Sequence, residues 1–304
     1  MDRLTELELL VYTAELGTLS KAAGLLEIST ASATRHLAAL EQRLNVRLIE
    51  RNTRRLSLTP AGHEFVGHCK NILSQLREAE TSITTSLVEP SGTLTITASI
   101  SFSMLHIAPI LPAFKKLYPQ IKIKILGENR YDDIIDNGID LAIRTREFEP
   151  DSNITIRRLA QTRRVLAASP EYLRHRGTPK HVEDLCNHDI MIYNHAHQHR
   201  ILNFSNNGKN RSIKIDPLLE TNDGQIARAA AIAGAGILVQ PKYIVHDDLI
   251  AGRLIPVLDE WRLPDLTINM AFQERRYLPA RTRIFIDFMI SVFEKEKYEL
   301  YWMR

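Results

Sequence analysis

The segment 19–44, LSKAAGLLEISTASATRHLAALEQRL, places short hydroxyl side chains beside one arginine. These side chains are Thr30, Ser32, Thr34 and Arg35. An arginine can donate a forked pair of hydrogen bonds to guanine, and a serine or threonine hydroxyl can bond a base edge or a phosphate. This set of residue types is therefore suited to contact with DNA.

Helical periodicity indicates how this segment is built. One face of a predicted helix is apolar and consists of Ala33, Leu37, Leu40 and Leu44. The opposite face carries mostly small side chains and consists of Ala31, Arg35, Ala38 and Gln42. Ser29 is its expected N-cap. A shorter helix, 19–26, precedes a break at 27–29. Two such helices describe a helix-turn-helix, whose second helix enters the major groove. An ordinary helical hairpin inside a core is the alternative.

Basic residues follow this pair of helices. Residues 35–55 contain six arginines against two glutamates, and 47–62, RLIERNTRRLSLTPAG, reads as a short hairpin. Positive charge beside a recognition helix is the expected footprint of phosphate contacts. We therefore expect Arg51, Thr53 and Arg54 to contact phosphate or the minor groove. A solvated run of charge is the alternative.

These residues resemble the winged helix-turn-helix of the LysR-type transcriptional regulators. The matching residues are Ala22-Ala23, Leu26, Ser29, Arg35, Leu40-Glu41, Leu44, Val46-Arg47-Leu48, Glu50-Arg51 and Leu58-Thr59-Pro60-Ala61-Gly62. Three positions depart from the family pattern. Thr30 stands where glutamine is usual, and Glu27 and Asn45 stand where glycine is common. Thr30 puts the family's usual base contact at that position in doubt.

A long helix is predicted from Thr59-Pro60 to about Leu87. Its apolar positions recur in steps of three and four: Phe65, Cys69, Ile72, Leu76, Ala79, Ile83 and Leu87. Such a stripe is typical of a coiled-coil seam or of a helix lying on a globular core. The seam is favoured, and the resemblance also implies a linker helix that pairs two DNA-binding domains. Phe65, Ile72, Leu76 and Ile83 are the expected dimerisation residues.

After the break at 89–92 the pattern predicts a parallel sheet whose strands alternate with helices: strands at 93–98, 121–126 and 141–144, and helices at 105–118 and 131–137. A second such run follows, which predicts two α/β lobes with a ligand cleft between them. The resemblance implies an effector-binding domain built like a periplasmic binding protein. The fold class is therefore α+β and multidomain. We expect a winged helix-turn-helix at 1–60, a linker helix at 61–90 and an effector domain at 91–304. Lobe I should hold 91–162 and 265–304, and lobe II 163–264.

Polar loops at the ends of the predicted strands are the expected effector contacts. The loop 99–103 contributes Ser99, Ser101, Phe102 and Ser103, and the start of a helix at residue 224 contributes Asn222 and Asp223. Hydroxyls and free amides at a helix start suit an anion, although simple N-capping is the alternative. Thr145 and Tyr193 are further candidates.

Several other classes of protein receive little support. His195, His197 and His199 would share a strand face and could ligate a metal, but no Cys, Asp or Glu lies near them to complete a site. Two cysteines exclude a disulfide framework. Enzyme signatures such as Gly-x-Ser-x-Gly, a phosphate loop or His-Glu-x-x-His are absent. No enzyme activity, cofactor or metal is therefore expected.

The whole chain is predicted to be a DNA-binding transcriptional regulator that senses a small molecule, favoured to be an organic anion. Its 304 residues carry a net charge of only +3, so DNA affinity must come from the local basic patch. Expected partners are double-stranded DNA with an interrupted inverted repeat, the effector, and the chain itself as dimer or tetramer; RNA polymerase is a further candidate. Without a signal peptide or membrane span in the sequence, we expect a cytoplasmic location. Two alternatives remain: a solute-binding protein for transport, and a metal-dependent enzyme or metal sensor built on the three histidines.

Overall fold

The structure is a computed structural model that describes residues 2–52, 55–84, 90–127, 138–147, 154–194, 200–273 and 278–304. The chain divides into two compact units, Met1–Val88 and Glu89–Arg304. Among the described residues, no helix is both long and apolar enough to span a bilayer.

The described residues of the N-terminal unit form four helices and one hairpin. In chain order these are α1 (Arg3–Leu16), α2 (Leu19–Leu25), α3 (Thr30–Leu44), β1 (Ile49–Asn52), β2 (Arg55–Leu58) and α4 (Pro60–Thr84). The strands β1 and β2 pair antiparallel, with Ile49 opposite Leu58. The predicted helix-turn-helix and hairpin are therefore present, and 85–89, where α4 was predicted to end, lie outside the described residues.

One apolar core holds these elements together. It includes Leu9 and Leu10 of α1, Leu37 and Leu40 of α3, and Leu48 before the hairpin. The helix α4 approaches this core closely, since a β-carbon on Gly62 would lie 2.1 Å from the carbonyl oxygen of Leu48. Only glycine fits there, so the Thr-Pro-Ala-Gly sequence sets how α4 leaves the hairpin.

The C-terminal unit begins with an α/β segment. Its elements are β3 (Gly92–Ala98), α5 (Ile100–Phe102), a π-helix (Ser103–Ile107), a 3-10 turn (Ala108–Ile110), α6 (Leu111–Leu117), β4 (Ile121–Gly127), β5 (Leu141–Arg146) and β6 (Ile154–Thr162). One helix over 105–118 was predicted. The chain instead turns helical at Ile100 and changes its hydrogen-bond pattern twice before it enters α6. A helix predicted over 131–137 lies outside the described residues.

The remaining elements build the second sheet and return to the first. They are β7 (Arg164–Ala168), α7 (Pro170–Arg176), a 3-10 turn (Val182–Asn187), β8 (Ile190–Tyr193), β9 (Ile201–Asn206), β10 (Lys209–Lys214), β11 (Leu219–Thr221), α8 (Gly224–Ile232), β12 (Ile237–Pro241), α9 (Lys242–Ile250), β13 (Ile255–Val257), β14 (Leu266–Gln273), α10 (Ala280–Glu296) and α11 (Tyr298–Met303).

Two five-stranded sheets result, each forming one lobe. The first has the order β4-β3-β5-β14-β6, with β3 parallel to both neighbours and β14 antiparallel to both of its own. The second has the order β11-β8-β12-β7-β13, with β8 parallel to β11 and β12. The chain crosses between the sheets from β6 to β7 and from β13 to β14. Each lobe therefore has parallel strands, and each can place polar residues at the carboxyl ends of those strands.

Candidate functional site

The helix α3 carries the surface that was predicted from the sequence to contact DNA. The Ser29 hydroxyl accepts a hydrogen bond from the Ser32 amide at 3.1 Å, so the predicted N-cap is present. The apolar face of α3 is buried in the core. On the opposite side Thr30, Ala31, Arg35, Ala38 and Gln42 are exposed, and Ser32 and Thr34 are half-buried beside them. This helix therefore offers one arginine on a face of small side chains.

A glutamate of α3 fixes the start of the hairpin. Glu41 Oε1 accepts hydrogen bonds from the backbone amides of Leu48 and Ile49, at 2.8 and 3.1 Å. An ion pair between Arg43 of α3 and the buried Glu6 joins α3 to α1. Both contacts hold the exposed face of α3 in a set orientation relative to its neighbours. This role of Glu41 was not predicted from the sequence, although Leu40-Glu41 is among the residues that match the LysR pattern.

The hairpin residues predicted to touch DNA are only partly described. Arg51 lies in β1, paired with Leu56 of β2. Thr53 and Arg54 lie outside the described residues. The hairpin thus exists where predicted, and the roles of these three residues stay predictions.

The apolar stripe of α4 divides between two environments. Phe65 is half-buried against the N-terminal core, and Cys69 is fully buried within it. Burial raises the pKa of the Cys69 thiol to about 11, which keeps it a neutral packing group. Placing Cys69 on a seam was therefore wrong, because the first turns of α4 lie on the globular core. Ile72, by contrast, is 46 % exposed, Leu76 is half-buried, and Ile83 lies near the end of α4.

The two predicted effector segments meet in the C-terminal unit. Ser99 caps α5 by accepting the Phe102 amide at 3.1 Å, and Asp223 caps α8 by accepting the Gln225 amide at 2.7 Å. A β-carbon on Gly224 would lie 3.0 Å from Ser101 Oγ and 3.1 Å from Gln240 Oε1. Ser101 of the first lobe thus packs against the start of α8 in the second.

Buried polar atoms without a partner among the described residues occur in the loop 99–103, at the start of α8, and on Gln240 and Asn194. Four such atoms have no hydrogen-bond partner among the described residues near them: Ser103 Oγ, Asn194 Oδ1, Gln225 Nε2 and Gln240 Nε2. Unpaired buried polar groups are costly, so these atoms are suited to bond a ligand or a water. Gln225, Gln240 and Asn194 were not predicted from the sequence. Position after a strand or at a helix start was the available signal, since Asn194 directly follows β8.

Other predicted contacts occupy less direct positions. Thr145 and Tyr193 are half-buried at the carboxyl ends of β5 and β8, and Asn222 is exposed next to the cap of α8. Phe102 is 1 % exposed, and its ring lies 5.8 Å from that of Tyr243 and 6.0 Å from that of Phe293. Its side chain therefore packs in the core, and its backbone amide already donates to Ser99, so the predicted effector contact of Phe102 was wrong.

A histidine lies at the centre of the same aromatic cluster. The His106 ring centroid is 4.9 Å from that of Trp302 and 5.1 Å from that of Tyr298, both in α11. Among the described residues neither of its ring nitrogens has a hydrogen-bond partner. Desolvation lowers the pKa of His106 from 6.5 to about 4, and the nearby His246 adds to this. His106 is thus a neutral core group at physiological pH.

The histidines singled out for metal binding, His195, His197 and His199, lie outside the described residues. Within the part of the chain that the structure describes, no three His, Cys, Asp or Glu side chains gather into a metal site.

Comparison with known proteins places both units in one class. Residues 4–63 match the bacterial regulatory helix-turn-helix of the lysR family, and 88–294 match the LysR substrate binding domain. The transcriptional regulator CrgA of Neisseria meningitidis is 30 % identical over 291 residues, which cover 94 % of this chain and 95 % of CrgA. YhjC of Escherichia coli, an uncharacterised HTH-type transcriptional regulator, is 32 % identical over 97 % of this chain and 99 % of its own length. The present chain is therefore a transcriptional regulator with a helix-turn-helix and a substrate-binding domain.

Solved structures agree with this assignment. CrgA superposes with a TM-score of 0.62 and 29 % identity, covering 94 % of this chain and 97 % of that one. The full-length virulence activator AphB of Vibrio cholerae superposes with a TM-score of 0.60 and 28 % identity, covering 95 % and 99 %. The chain belongs to the LysR family of transcriptional regulators.

Proposed function

We propose that this protein binds a specific double-stranded DNA sequence and that a small organic anion controls the binding. The observation that carries the DNA part is the exposed face of α3. Arg35 stands there among alanines and threonines, so a base pair can approach the helix backbone closely. Arg35 is the proposed base-reading residue, with Thr30, Ser32 and Thr34 beside it. Arg51, Thr53 and Arg54 of the hairpin contact phosphate or the minor groove.

The proposed assembly is a dimer joined through the second half of α4. Ile72 is 46 % exposed at the point where α4 leaves its own core, and Leu76 and Ile83 follow at steps of four and seven. An exposed isoleucine with apolar residues at this spacing is typical of a paired helix. Two copies of α3 then face two half-sites, so the operator is an interrupted inverted repeat. Dimers associate further into tetramers, and the DNA-bound protein contacts RNA polymerase.

The proposed effector site is the junction of Ser101, Ser103 and the start of α8. The amides at the N-terminus of α8 favour negative charge. The side-chain amides of Gln225 and Gln240 add donors that have no partner among the described residues. Donors without acceptors match a ligand rich in acceptor oxygens, such as a carboxylate. The effector changes DNA binding only if it binds one arrangement of the lobes more tightly than another.

The DNA part is tested by selection from random duplexes. The full chain is incubated with a random duplex pool, and the bound sequences are recovered and footprinted. An interrupted inverted repeat should emerge and bind at least about 1,000-fold more tightly than scrambled DNA, which is the lower limit for specific binding proteins. Recovery of random sequence would refute specific recognition.

The effector part is tested by a thermal-shift screen of small carboxylates, followed by calorimetry. Replacing Gln240 by leucine keeps the side-chain size and removes the donor, so it should weaken the identified ligand by about 1.5–3 kcal/mol. Ser101→Ala should act in the same direction. The exposed Ser291→Ala, in α10, is the matched control and should change nothing. Unchanged affinity in both site variants would mean that the ligand lies elsewhere.

A further inference from the structure

Thr34 differs from the other hydroxyl residues of α3 because its hydroxyl is already engaged. Thr34 Oγ1 donates a hydrogen bond to the carbonyl oxygen of Thr30 at 2.9 Å, one helical turn back. The hydroxyl has one hydrogen, so it has none left for a second acceptor. Phosphate oxygens and guanine offer only acceptors to the major groove, and Thr34 can bond neither without breaking its link to the helix.

Thr34 still offers its methyl and the acceptor lone pairs of its oxygen. The oxygen points back along the helix backbone, which leaves Cγ2 as the other branch of the side chain. The flanking residues on the same face are Ala31 and Ala38, at i−3 and i+4, and both are exposed. No side chain larger than a methyl therefore stands between Thr34 and a partner on these two sides.

We infer that Thr34 determines sequence specificity by packing its methyl against the C5 methyl of a thymine. This inference rests on the proposed DNA-binding function and adds one base preference to it. Thymine is the base that carries a methyl in the major groove, and threonine methyls and alanines are side chains that contact it. Arg35, next in the chain, supplies the polar contact, so one turn of α3 reads a guanine and a thymine in neighbouring positions.

The experiment removes the two methyls separately. The probe is the duplex selected by the wild-type chain from a random pool, with each thymine of one half-site replaced in turn by uracil, which lacks only the methyl. Uracil at one position should weaken the wild type about fourfold, the value for losing one buried methyl group. The remaining thymines of that half-site serve as internal controls and should respond less.

Two variants of Thr34 distinguish the methyl from the hydroxyl. Thr34→Ser keeps the hydroxyl and loses the methyl, so it should bind the thymine duplex about fourfold more weakly than wild type and show no further loss on uracil. Thr34→Val keeps a methyl and loses the hydroxyl, so it should retain the uracil response. Circular dichroism of both variants checks that α3 still folds.

The opposite pattern would overturn the inference. If Thr34→Ser responds to uracil as strongly as wild type, or if Thr34→Val alone loses affinity, the hydroxyl is the contact. If the wild type selects an operator but no uracil weakens it, the reading of thymine by Thr34 is wrong while the proposed function stands. If the wild type selects no sequence at all, the proposed function itself fails.

Discussion

Acid should unfold the C-terminal unit more readily than the sequence composition alone indicates, because of His106. This side chain is 7 % exposed and lies among the rings of Phe102, Tyr243, Phe293 and Trp302. To take up a proton in the folded state, it must hold a charge in an apolar environment without a hydrogen-bond partner among the described residues. The unfolded chain has no such penalty.

The size and sign of the effect follow from the two pKa values. The pKa of His106 falls from 6.5 in the unfolded chain to about 4 in the folded one. Between these values the unfolded state binds more protons, so the free energy of unfolding falls as the pH falls. Each pKa unit is worth about 1.4 kcal/mol, which gives a total loss of about 3 kcal/mol by pH 4. Above pH 6.5 this loss is absent.

The assay is urea unfolding followed by tryptophan fluorescence between pH 7 and 4.5. Both tryptophans, Trp261 and Trp302, lie in the C-terminal unit and report on it alone. The comparison variant is His106→Phe, which keeps an aromatic ring and cannot titrate. His188 and His246 also have lowered pKa values and add to the pH dependence in both proteins. The difference between wild type and variant therefore isolates His106.

At pH 7 the variant should be at least as stable as wild type, since it removes two buried nitrogens without partners among the described residues. At pH 4.5 it should be more stable by about 2–3 kcal/mol. Equal pH dependence in the two proteins would refute the reasoning, because His106 would then titrate normally in the folded state.

Four further predictions concern single positions. Glu27→Gly should raise the free energy of unfolding of the N-terminal unit by about 0.5–1 kcal/mol in circular dichroism melts, because Glu27 has a φ of 53°. Asn45→Gly, at a φ of 51°, should raise it by less, because asparagine tolerates this region. A Glu27→Gly variant less stable than wild type would contradict this. Leu76→Glu should abolish the dimer in light scattering of the full chain while the C-terminal unit stays folded; a surviving dimer would exclude the α4 interface. Gly224→Ala should destabilise the C-terminal unit by about 1–3 kcal/mol, since its β-carbon would lie 2.6 Å from Ile244 Cδ1; an unchanged melting curve would mean that the contact relaxes freely.

Features set by local pattern could be predicted from the sequence. The buried face of α3, the caps Ser29 and Thr59, and the parallel strands β3, β4 and β5 all follow from spacing and turn chemistry. Even the two departures from the family's glycines have a structural counterpart, because Glu27 and Asn45 both adopt positive φ. The surrounding fold therefore imposes the backbone shape that glycine would otherwise adopt freely.

Features set by distant packing could not be predicted. Cys69 fits a coiled-coil stripe and a core equally well, and only the position of α1 and α3 decides between them. The strand β6 was missed because it is a sheet edge that carries Arg157 and Arg158, which pair with Asp287 and Glu299 of distant helices. Gln225 and Gln240 were missed because only the packing of distant elements shows that their side-chain amide nitrogens are buried.

The central claim is that Arg35 on α3 gives this protein its DNA specificity, and one measurement tests it directly. The affinities of the full chain for its selected operator and for scrambled DNA are compared in wild type, Arg35→Ala and Arg174→Ala. Arg174 is exposed in α7 and is the charge-matched control. Arg35→Ala should lose about 1–3 kcal/mol on the operator and much less on scrambled DNA, while Arg174→Ala stays at wild-type values. Equal behaviour of the two variants, or equal loss on both duplexes, would contradict the assignment of α3 as the base-reading helix.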